Sequence, residues 1–115
     1  MPLTTSIERL ANETAVVTFQ GPLTLGTSLK VADSQVQAAI ADGVSRMVFD
    51  LAGVDFVDSA GLGLLVYVYG VLSQKNGALR LCGVSQRVLT VFQLTKTDAL
   101  LAVDGCRDDS LAALN

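Results

Sequence analysis

The run Arg46-Met47-Val48-Phe49-Asp50-Leu51 is apolar at nearly every position, and it breaks into Ala52-Gly53-Val54-Asp55-Phe56-Val57-Asp58-Ser59. A strand that is apolar on both faces must be covered on both, which places it in the middle of a sheet. Directly beyond it, Ser59-Ala60-Gly61-Leu62-Gly63-Leu64-Leu65-Val66 opens an apolar helical run studded with glycines. A buried strand handed straight to a helix is an α/β arrangement, and it leaves a hydroxyl at the helix start. Unpaired N–H groups and partial positive charge gather there, so Ser59 reads as a cap, a nucleophile or an acceptor of phosphate.

The remaining pattern supports that architecture. Leu3, Thr5 and Ile7 alternate with polar neighbours, and Ala15, Val17 and Phe19 do the same within Thr14 to Gln20. With Ala11-Asn12-Glu13 as the turn, these segments predict an N-terminal antiparallel hairpin. Gly21 and Pro22 end it, and Thr27 or Ser28 is the expected cap of a helix carrying Leu29, Ala32, Val36, Ala39 and Ile40 on one face. Gly43 suits the position just past that helix. The second helix should end near Asn76-Gly77, followed by a strand over Ala78 to Cys82. Ser85 is placed to cap a third helix, with Val84 and Leu89 stapled around it. A last strand is expected over Ala99 to Val103 and a terminal helix over Asp108 to Leu114. Strands alternating with helices after a hairpin imply one α/β domain, residues 1–115, with a mainly parallel sheet.

Composition narrows the chemistry. With 8 Lys and Arg against 11 Asp and Glu, the net charge is −3, and the cations form no basic tract, so nucleic acid is not the expected partner. The 115 residues include no histidine and two cysteines, Cys82 and Cys106, too few for a disulfide framework. Cys82 reads as a core residue of its strand. No charged segment followed by an apolar one opens the chain, and the uncharged run from Ser59 to Gln74 falls short of the roughly 20 residues a spanning helix needs. A cytoplasmic protein with reduced thiols, without direct membrane insertion, is expected.

The residues around Ser59 permit few reactions. A Ser-His-Asp triad is excluded without histidine. The glycines after Ser59 lack the lysine and spacing of a phosphate loop, so nucleotide binding would be weak. Asp50, Asp55 and Asp58 surround the strand end where acid–base or metal sites gather, yet Asp58 is equally a good cap and Asp55 a turn former. What remains is recognition, with Ser59 either a plain cap or a modifiable hydroxyl; residue physics alone favours the cap. On the second helix Leu62, Leu65, Val66, Tyr69 and Leu72 form the expected core stripe, with Leu64, Tyr67, Val68 and Val71 largely outside it. A helix apolar all round is either fully buried or lends part of its surface to a partner, and both readings stay open.

The segment Val48 to Gly63, with Asp58-Ser59-Ala60-Gly61-Leu62-Gly63 at its end, closely resembles the strand-to-helix signature of STAS domains. These are the bacterial anti-sigma factor antagonists and the related cytoplasmic domain of sulphate transporters. The likeness extends through the hairpin, the Gly21-x-Leu23 step, the strand Gly77 to Cys82 and the helix start Ser85-Gln86-Arg87-Val88. It implies a mixed four- to five-stranded sheet with helices packed mainly on one face, and a non-enzymatic, cofactor-free partner switch; a monomer is the default expectation. In such a switch the unphosphorylated antagonist binds an anti-sigma factor that is also a serine kinase, and so frees a sigma factor. The kinase phosphorylates the serine matching Ser59, and a phosphatase resets it. The implied contact surface is Thr24, Asp58, Ser59, Ala60, Gly61, Leu62 and Gly63, the two glycines allowing a partner backbone to come close. Thr24 stands where the family often has aspartate. The alternative is a constitutive STAS subunit of a sensory scaffold or of a lipid or anion transporter, with Ser59 only a helix cap.

Overall fold

In a computed structural model, which describes residues 2–114, the hairpin joins β1 (Thr4–Leu10) to β2 (Thr14–Gln20), Ile7 lying opposite Val17. The chain then runs through α1 (Thr27–Ala41), β3 (Arg46–Gly53), α2 (Ser59–Gln74), β4 (Ala78–Cys82) and α3 (Gln86–Leu94). A short 3₁₀ turn (Thr97–Ala99) leads to β5 (Ala102–Asp104) and α4 (Arg107–Leu114). The strands lie in sequence order in one five-stranded sheet, and every pairing after the hairpin is parallel.

This order explains the layering. Parallel neighbours need crossovers, and right-handed crossovers that always step the same way put α1, α2 and α3 on one face. Against them the sheet presents Ala15, Val17 and Phe19 of β2, Met47, Phe49 and Leu51 of β3, and Leu79 and Leu81 of β4, all buried. The Phe19 and Phe49 rings meet edge to face at 5.0 Å in the centre of this layer. The intervening residues Val16, Val48 and Cys82 point the other way and are covered by Leu111 and Leu114 of α4. Here lies the reason β3 is apolar on both sides: each face has its own cover.

α4 is fixed by polar contacts at its N-terminal end. Arg107 donates to Thr18 at 3.0 Å and to Asp50 at 3.1 Å, while Ser110 donates to Asp104 at 2.7 Å. Asp104 also receives a forked contact from Arg80 at 2.7 and 3.0 Å. The Arg80 hydrogen bonds, helped by Ser110, hold the Asp104 carboxyl below the usual carboxylate range. Burial, reinforced by the Asp50 charge, pushes the Cys82 thiol up to about 11, so it behaves as a small core residue.

Several local expectations match the structure and others need correction. Gly43 follows α1 with φ 106, and the Ser85 hydroxyl accepts from the Val88 N–H at 3.2 Å. Neither Thr27 nor Ser28 caps α1; the N-cap is Gly26, with φ 157 and ψ 179, and no side chain bonds the helix start. β5 begins at Ala102, because Thr97–Ala99 is wound into the 3₁₀ turn. On α2 the buried line is Gly61, Leu64, Leu65, Val68 and Leu72, so Leu64 and Val68 belong to the core while Leu62, Val66 and Tyr69 are only partly covered.

Truncating the central ring tests this packing. Phe49→Ala should lower unfolding free energy by about 3–5 kcal/mol, read as a reduced denaturant midpoint with a native-like slope.

Candidate functional site

Two loops are stitched together where β2 and β3 end. Leu23 and Val57 form a parallel bridge: the Leu23 N–H donates to the Phe56 carbonyl at 3.0 Å, and the Asp58 N–H donates to the Leu23 carbonyl at 3.1 Å. The Gly21 N–H adds a third tie, to the Gly53 carbonyl at 2.9 Å. The segment before α1 therefore lies alongside the segment before α2.

Asp58 locks the junction. One carboxylate oxygen accepts from the Gly61 N–H at 2.9 Å, capping α2, and the other accepts from the Leu25 N–H at 2.9 Å, 33 residues away in sequence. The Leu25 bond, then the Gly61 bond, hold its pKa below the usual aspartate range. Ser59 follows as the first helical residue, exposed, and among the described residues its hydroxyl has no hydrogen-bond partner. The cap is thus Asp58, one of the two readings of that residue the sequence offers, and the alternative of Ser59 as the cap does not hold.

The other expected contact residues divide into two groups. Thr24, Ala60 and Leu62 are half-buried around Ser59, and Gly63 is exposed with open space where a side chain would sit. Gly61, expected on the partner surface, is instead buried: a side chain there would overlap the Leu23 carbonyl oxygen. Its glycine serves the chain's own loop-to-helix contact. Ala60 and Gly63 line an open groove between α1 and α2, together with Lys30, Asp33 and the exposed Tyr67. α2 carries no charged residue over its 16 positions.

The three aspartates do not converge. Asp50 is bound to Arg107 on the far face of the sheet, Asp55 is exposed in the loop, and Asp58 is engaged as the cap. Among the described residues no group of three or more His, Cys, Asp or Glu side chains is placed to share a metal ion. The fold adds residues that sequence reasoning did not assign to the site. Arg87, from the first turn of α3, lies over the Phe56 ring at 5.4 Å, and Leu25 stands out from the first loop. An apolar residue between Thr24 and Gly26 was the available signal for Leu25.

Paired glycine substitutions separate the two roles. Gly61→Ala should destabilise by about 1–3 kcal/mol because the Leu23 backbone must shift. Gly63→Ala, facing open space in mid-helix, should stabilise by about 0.5–1 kcal/mol; chemical denaturation of both reads the contrast. Acid titration tests Asp58. Because its folded pKa is lowered, the stability it supplies is complete above the ordinary aspartate value of about 3.9 and is lost as pH falls through the lowered one. Asp58→Asn should flatten that acid limb in melting temperatures measured from pH 7 to pH 3.

Known proteins share this sequence and fold. A protein of Bordetella bronchiseptica, BtrV, named as a candidate anti-sigma factor antagonist, is 31% identical over 81 residues, 70% of each chain. An anti-sigma factor antagonist from Mycobacterium paratuberculosis superposes with a TM-score of 0.83 at 25% identity, over 97% of this chain and 93% of that one. The anti-sigma factor antagonist SpoIIAA, solved in its unphosphorylated form, superposes with a TM-score of 0.82 at 21% identity, over 96% and 95%. The Bacillus SpoIIAA is also known in a phosphorylated form, with a TM-score of 0.77 at 19% identity, over 97% and 100%. The STAS domain pattern matches residues 6–109, and the chain belongs to the STAS domain family.

Proposed function

We propose that this chain is an anti-sigma factor antagonist whose partner binding is controlled by phosphorylation of Ser59. The observation that carries the reading is the division of labour at the start of α2. Asp58 satisfies the helix end, so the adjacent Ser59 hydroxyl is exposed and unengaged. A capping serine has its oxygen held against a backbone N–H; this one is exposed and unengaged, open to a kinase. A constitutive scaffold with Ser59 as cap is disfavoured for the same reason.

In this mechanism the unmodified chain binds an anti-sigma factor that is also a serine kinase, and the sigma factor is released. The kinase transfers the γ-phosphoryl group of its own ATP to the Ser59 oxygen, which loses its proton, leaving ADP. A phosphatase returns the hydroxyl by hydrolysis. The chain supplies no catalytic group to either step; it presents an acceptor on a rigid helix start. A phosphoserine carries about −1.5 to −2 charge at pH 7. Here it stands beside the Asp58 carboxylate, and the N-terminal dipole offsets only part of that charge. Bulk and repulsion at a surface otherwise free of charge along α2 weaken the complex. Thr24 replaces a charged family residue at the edge of this surface, so recognition there uses hydrogen bonding and apolar contact.

Incubation with the cognate kinase and ATP, followed by peptide mass mapping, should place one phosphate on Ser59. Phosphate found only elsewhere sinks the reading. Ser59→Asp should weaken binding to the anti-sigma factor at least tenfold in titration calorimetry, while Ser59→Ala binds and cannot be released.

A further inference from the structure

The loop between β2 and α1 exposes a leucine where loops usually expose polar groups. Leu25 is 76% exposed, yet its backbone is held on both sides. Its own N–H is bound to Asp58 at 2.9 Å, and Leu23 two residues earlier is paired in both directions with the loop before α2. Gly26, which follows, starts α1, its carbonyl accepting from the Lys30 N–H at 3.3 Å. An apolar side chain on a backbone already held in place costs no loop ordering when a partner covers it, which lowers the cost of binding there. The Asp58 bond holds the Leu25 backbone against the residue that precedes Ser59, so Leu25 and Ser59 stand at the same end of the sheet.

The α2 side of that surface is uncharged: α2 contributes no charge, Thr24 is neutral, and both oxygens of Asp58 are already engaged within the chain. The nearby charges, Lys30 and Asp33, lie across the groove on α1. Apolar burial is therefore a main source of affinity at the Ser59 end. We propose that Leu25 is the apolar anchor of the partner interface, entering an apolar pocket on the anti-sigma factor kinase that receives Ser59. This rests on the functional reading above. Leu94 provides an internal control: it is 79% exposed, but it ends α3, whereas the Arg87 contact with Phe56 lies at the start of that helix.

The test uses the full chain and the purified anti-sigma factor serine kinases of its source bacterium, with dissociation constants measured by titration calorimetry. Leu25→Ser should weaken the interaction roughly ten- to a hundredfold. Leu25→Met should keep most of the affinity, and Leu94→Ser should bind as the wild type does. All three exposed-site variants should melt close to wild type. Binding that is lost in Ser59→Asp but fully kept in Leu25→Ser overturns the anchor alone. Equal losses in Leu25→Ser and Leu94→Ser also overturn it, because the effect is then not local. If the wild type binds none of these kinases, the functional reading falls and the anchor with it.

Discussion

The carboxylate of Asp58 is the constraint on which the site depends. It closes a helix and fastens a loop at once, one oxygen for the Gly61 N–H and one for the Leu25 N–H. Neither task falls to Ser59, which is the first helical residue and stands exposed beside the cap. The geometry around it is correspondingly tight: Gly61 must lack a side chain because Leu23 is drawn against it. The reactive-looking residue is exposed because its neighbour does the structural work.

The sheet supplies the platform for this arrangement. Its strands step in one direction, so three helices collect on one face and their N-terminal ends follow the C-terminal ends of the preceding strands. The loops before α1 and α2 and the first turn of α3 thereby meet at one end of the sheet. On the reverse face, α4 seals Val16, Val48 and Cys82 with two leucines and anchors itself through Arg107 and Ser110. The polar contacts of α4 thus lie on the face opposite the helix that carries Ser59.

Much of this was legible in the sequence wherever the determining physics is local. The hairpin alternation, the doubly apolar β3, the Gly43 terminus and the Ser85 cap each depend on a few consecutive residues, and the structure agrees with all of them. On α2 periodicity finds Leu65 and Leu72 but misses Leu64 and Val68, because a helix apolar all round offers several equally good stripes and only the sheet beneath it selects among them. The cap of α1 was misread because Thr27 and Ser28 are good caps by composition, yet the backbone at Gly26 takes a geometry suited to glycine. The second bond of Asp58 and the burial of Gly61 link loops more than thirty residues apart, and no local pattern announces such a contact.

The absence of charge along α2 gives the surface a particular kind of memory. Most protein surfaces are a mosaic of charges in which one added phosphate is a modest perturbation, diluted by neighbours and screened within about 10 Å at 0.1 M salt. The four turns that begin at Ser59 carry no charged side chain of their own, and the Asp58 carboxylate before them is tied to two N–H groups. A single modification there would give the helix its first side-chain charge. The signal would then be read against a sparse background, and one oxygen atom would set the electrical character of that helix.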